Sequence, residues 1–97
     1  MSESEIGTVA AYLMDIHLDR HWRFEFRDTL PLRSGGDLAG HTSWDSRLIL
    51  LSRKYVLSYS PKGIGDILTH EIAHALTPED WVHGEIFHAK LREIREC

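Results

Sequence analysis

Residues 70 to 74 read His-Glu-Ile-Ala-His, and no other stretch of the chain restricts its structure so strongly. The pattern has chemical meaning on a helix. There His70 and His74 stand one turn apart on the same face, so two imidazoles can grip one metal ion. Glu71, rotated by about 100°, can reach a water on that ion. Zinc suits such a site: it accepts imidazole nitrogen, does no redox chemistry, and lowers the pKa of a bound water to about 7. The pentapeptide points to metal-assisted hydrolysis. Its competing reading is an amphipathic helix carrying two exposed histidines.

The flanking residues predict the helix. Ser60-Pro61 supplies an N-cap and a proline in the first turn. Ile64, Ile67, Leu68, Ile72 and Ala75 then recur at helical spacing and form one apolar stripe. His70 and His74 lie together on a flank away from that stripe. Glu71 falls near its edge, where partial shielding can raise a carboxyl toward neutrality. Gly63 and Gly65 weaken the first turn, so the helix is expected to begin a few residues late. Thr77-Pro78 marks its end, because the residue before proline disfavours the helical region.

Two histidines do not complete a catalytic zinc site, which usually has three protein ligands and a fourth position for water. Phe87, Leu91 and Ile94 form the inward face of a second helix. His83, four residues before Phe87, sits at the inward-facing entrance of that helix and is the favoured third ligand. Gly84 follows it and permits close backbone approach. His88 points away, toward Arg92 and Arg95, and reads as a solvated surface residue. Glu93, nineteen residues after His74, is the alternative ligand of a gluzincin-like site, but it lies off the apolar face.

Upstream, residues 4–18 read as a helix with Ile6, Val9, Ala10, Leu13 and His17 on one face and Ser4 as a cap. His17 there reads as a core histidine. Trp22, Phe24 and Phe26 alternate with charged residues and mark a half-buried strand. Residues 31–37 are loop by composition. Residues 38–44 form a second strand and 47–52 a third, central one, because the run LILL is apolar on both faces. Residues 53–60 are ambiguous and leave room for a short turn. The order predicts an α+β fold of zincin-like layout over a single domain, residues 1–97. An N-terminal helix precedes a small three-stranded antiparallel or mixed sheet, and two metal-site helices pack on one face of it. Residues 38–44 are the candidate edge to which an extended peptide could add. His41 in that strand is a candidate for steadying an oxyanion, against the plainer reading of an exposed strand histidine. Trp81 is expected to pack over the site.

The chain resembles the SprT-like (Spartan-type) zinc metallopeptidase domain. The resemblance rests on HEIAHAL at 70–76 and HGEIFHAKL at 83–91, with RLILLSRKYV at 47–56 and WRFEF at 22–26 similar to upstream strands of the family. It implies zinc ligands at His70, His74 and His83 and a general base at Glu71. The loop between His74 and His83 is short for the family. The form is minimal, without the cysteine-bearing zinc ribbon or DNA-binding tail that often follows.

Composition narrows the partners. With 42% hydrophobic and 27% charged residues, the 97-residue chain has the balance of a soluble globular protein. A core this small gains stability from a bound metal. The lone Cys97 cannot form an internal disulfide and fits a reducing compartment. No stretch reads as a membrane span or secretory leader, so a cytoplasmic monomer is expected. The net charge of −4 argues against a general nucleic-acid binder. Residues 20–62, however, carry eight Lys/Arg against four Asp/Glu, which leaves room for a weak polyanion-facing surface. The expected activity is zinc-dependent hydrolysis of a peptide or protein, with DNA binding weak or indirect. A zinc-stabilised binding module without turnover is the alternative.

Overall fold

Apolar alternation sets the sheet. In the computed structural model, which describes residues 1–96, β1 spans Arg23–Arg27, β2 Gly40–Ser43 and β3 Leu48–Ser52. Cys97 lies outside the described residues. The strand order is β1-β3-β2, with β1 parallel and β2 antiparallel to β3. The sheet is therefore mixed, and β3 is central as its continuous apolar run requires. Registration puts Phe24 and Thr42 beside Ile49, and Phe26 and Gly40 beside Leu51. These six residues share one face of the pleat, and that face meets the helices.

The first helix, α1 (Glu3–His17), is capped by Ser2 rather than Ser4. Ser2 Oγ accepts from the Glu5 N–H at 3.1 Å while Glu5 Oε1 accepts from the Ser2 N–H at 2.9 Å. This reciprocal pair satisfies two otherwise orphaned donors and starts the helix one residue earlier than expected. Ile6, Ala10 and Met14 are its buried stripe, while His17 is only half-buried. The ambiguous stretch after β3 holds a single helical turn, α2 (Arg53–Val56). Arg53 there pairs with Glu3 and Asp28 and ties this turn to α1 and to the end of β1.

The helix α3 (Pro61–Leu76) begins at Pro61 and not later. Ser60 Oγ accepts from the Gly63 N–H at 3.1 Å, which offsets the weak helix propensity of the two glycines. It is the spine of the molecule. Ile64 and Leu68 join Ile6, Ala10, Leu51 and Val56 in one buried cluster; Ile72 and Ala73 join Met14, Ile49, Phe87, Leu91 and Ile94 in another. Burial of each large side chain contributes about 1.5–3 kcal/mol. A short 3-10 turn, Pro78–Asp80, not foreseen from sequence, leads to α4 (Glu85–Glu96). Phe87, Leu91 and Ile94 bind α4 to α3 along the predicted face. No described helix is long and apolar enough to cross a membrane.

Candidate metal centre

The helix α3 carries two different faces, and the candidate metal site lies where they meet. His70 and His74 are half-exposed on the flank, while Glu71 is 5% exposed at the edge of the apolar stripe. His83 arrives from the segment between the 3-10 turn and α4. Its backbone is left-handed, with φ of 61°, a region that costs a non-glycine residue about 1–2 kcal/mol. This bend brings the His83 ring to 4.6 Å from His74 and 5.0 Å from His70, centroid to centroid. His70, His74 and His83 each offer one nitrogen, and the three lie within 4.8 Å of one another. Phe87 forms the floor, its ring 4.5 to 5.0 Å from all three imidazoles.

The donor set fits zinc. Burial, and then the neighbouring His83, lowers the His70 pKa. Burial, followed by the neighbouring histidines, pushes His74 down to about 4. Both are therefore neutral near pH 7 and present lone pairs. His74 Nε2 faces His83 Nε2 at 2.7 Å, a juxtaposition that one cation between the rings would satisfy with small adjustment. His74 Nδ1 is buried and has no hydrogen-bond partner among the described residues. The His74 ring is therefore oriented by packing, between Trp44 at 6.4 Å and Phe87, rather than by the outer acceptor that ligating histidines usually have.

Glu71 has a different environment. Burial raises its pKa from 4.5 to about 7, and a hydrogen bond from Thr42 works against that rise. Thr42 Oγ1 lies 2.8 Å from Glu71 Oε1 and 3.0 Å from the Glu71 carbonyl oxygen. Its single proton bridges side chain and backbone of the same residue. Gly40, the next inward position of β2, leaves room for the carboxylate: a Cβ there would stand 3.1 Å from Glu71 Oε2. From the loop after β2, Trp44 Nε1–H donates to the His74 carbonyl at 2.8 Å, satisfying an acceptor in the last turn of α3. The edge strand and the loop after it thus hold both the buried Glu71 carboxyl and the helix end that carries the second histidine.

The remaining sequence candidates separate clearly. His41 is exposed on the opposite pleat from Thr42, yet reaches the rim of a 320 Å³ cleft that also exposes the three histidines. Trp81 forms another part of that rim at 68% exposure, so it walls the cleft more than it covers the site. His88 is exposed and lies outside the trio. Glu93 pairs with Lys90 at 3.1 Å and lines a separate hollow with His17 and Leu76. Periodicity did not single out Thr42, Gly40, Trp44 or Asp80. Thr42, Gly40 and Trp44 act on residues about thirty positions away, and Asp80 acts across a non-helical bend, so helical and strand periods carry no record of them.

Four of the eight cations in the positive segment, residues 20–62, are in ion pairs. Arg27 pairs with Glu25, Arg53 with Glu3 and Asp28, Lys54 with Asp37, and Lys62 with Asp66.

A family model described as SprT-like family matches residues 11–97. No curated protein and no solved structure matches the chain.

Proposed function

This chain belongs to the SprT-like family, and on that premise we propose that it is a zinc-dependent peptidase acting on peptide or protein substrates. The observation that carries the reading is the juxtaposition of three converging imidazole nitrogens with one buried carboxyl. His70, His74 and His83 would hold the ion. Bound there, zinc would supply Lewis acidity toward a carbonyl and a water. Three neutral ligands would leave its double charge available to stabilise an oxyanion.

Glu71 is the general base. A carboxyl with a pKa near the working pH can take a proton from the attacking water and later hand it to the leaving amine. Thr42 fixes the carboxyl by holding one of its oxygens, and leaves the other for the proton. The substrate reaches this site along β2, which is an edge strand. A peptide added there as a further strand would run beside the cleft, with backbone hydrogen bonds supplying alignment without strong sequence preference.

Metal analysis and a peptidase assay on unfolded substrates test the reading together. About one zinc per chain is expected, with loss of zinc in His70→Ala, His74→Ala and His83→Ala. Glu71→Gln should retain zinc and lose hydrolysis, because glutamine keeps the shape but accepts no proton. Near-wild-type rates in Glu71→Gln would remove the base assignment. Zinc binding with no hydrolysis of any peptide library would favour a binding module.

A further inference from the structure

Asp80 is a buried carboxylate that the reaction above does not use. It ends the 3-10 turn at 8% exposure, and its two oxygens are committed to different donors. Oδ1 accepts from the Gly84 N–H at 2.8 Å, and Oδ2 accepts from the Phe87 N–H at 2.9 Å. Both donors belong to the start of α4, where N–H groups lack partners within the helix. Gly84 occupies the position whose side chain would normally cap α4, and it has none. The cap comes instead from four residues earlier in the chain, and its negative charge suits the positive end of the helix.

The clamp encloses the third histidine. The three residues Trp81, Val82 and His83 lie between Asp80 and its first donor, and all three are exposed. No residue of that segment is buried, and the backbone at His83 is in a left-handed conformation. What closes the segment is the Asp80 carboxylate at one end and the Gly84 and Phe87 amides at the other. The same carboxylate fixes Phe87, the floor beneath the three imidazoles. It also restricts residue 84: a Cβ there would stand 2.7 Å from Asp80 Oδ1 and 2.9 Å from Oδ2.

We propose that Asp80 is a positioning residue for the metal, holding His83 within reach of His70 and His74 by clamping the start of α4. The inference rests on the reading of the three histidines as a zinc site. Its consequence is that Asp80 sets zinc affinity chiefly through the position of His83 and touches neither metal nor substrate.

Zinc and cobalt(II) titrations of the full chain test this, with affinity read by chelator competition and geometry by the cobalt visible spectrum. Asp80→Ala should weaken zinc about tenfold or more, the range found for partners that orient ligands, and alter the cobalt spectrum. Asp80→Asn should fall between, because its one amide oxygen can accept from one of the two N–H groups. In a His83→Ala background, Asp80→Ala should cause a much smaller further loss, since the ligand it positions is gone. Gly84→Ala, which drives a methyl against the carboxylate without removing its charge, should reproduce the loss and serves if Asp80→Ala does not fold. Wild-type affinity in both Asp80→Ala and Gly84→Ala would overturn the proposal. So would an equal loss from Asp80→Ala with and without His83, which would mark a general structural role. Failure of the wild-type chain to bind zinc would instead overturn the site itself.

Discussion

Replacing the catalytic candidate should make the metal-free protein more stable. Glu71 is 5% exposed, and its side chain's hydrogen-bond partner is the Thr42 hydroxyl. Burial raises its pKa from 4.5 to about 7, so the folded chain holds this proton more tightly than the unfolded chain. Stability from this group is complete below pH 4.5 and is lost as pH rises through 7. At about 1.4 kcal/mol per pH unit, the raised pKa destabilises the fold by about 3 kcal/mol at pH 8 and about 1 kcal/mol at pH 5. Glu71→Gln removes that titration while keeping an oxygen for Thr42. Without metal, the variant should therefore exceed wild type by about 3 kcal/mol at pH 8. For a domain of this size that corresponds to roughly 10–20 °C in Tm. His74, pushed down to about 4, contributes stability that is lost as pH falls below 6.5. It does so in both proteins, so the difference isolates Glu71. Urea unfolding in chelator at pH 5 and pH 8 measures it. Zinc should shrink the gap, because a cation nearby favours the ionised carboxyl. A gap that does not change with pH, or a variant less stable at pH 8, would refute the reasoning.

Thr42→Val removes the hydrogen bond that opposes the rise of Glu71. The acidic limb of kcat/KM against pH should therefore move upward, and an unmoved or lower limb counts against the Thr42–Glu71 contact. Gly40→Ala places a Cβ 3.1 Å from Glu71 Oε2 and 3.2 Å from Ile67 and Leu51 side-chain carbons. Thermal melts should show a loss of about 1–3 kcal/mol from such overpacking. Chelation of the native protein should lower its Tm, and excess zinc should restore it, since a ligand that binds only the folded state stabilises by mass action. DNA should bind weakly and without sequence preference, because the net charge is −4 and four of the cations in residues 20–62 are paired. Sub-micromolar affinity surviving ~0.2 M salt would contradict that expectation.

Much of this molecule is legible in its sequence because helices and strands write their periods locally. The stripe from Ile64 to Ala75 places α3, the spacing of Phe87, Leu91 and Ile94 places the inward face of α4, and LILL places the central strand. The same periodicity puts His70 and His74 on one flank and Glu71 at its edge, as in the structure. It misplaced the cap of α1, where Ser2 with Glu5 outcompetes Ser4, and it delayed the start of α3, where Ser60 offsets two glycines. Two arrangements could come only from tertiary structure. One is the pairing of β2 with β3, which turns Thr42 and Gly40 toward Glu71 and sets how far its pKa rises. The other is the bend at His83, closed by Asp80 across the start of α4. Neither has a period to read: the first needs strands to pair, and the second needs Asp80 to reach the Gly84 and Phe87 amides across a non-helical bend. Local spacing determines which residues share a face; long-range packing determines which faces share a site.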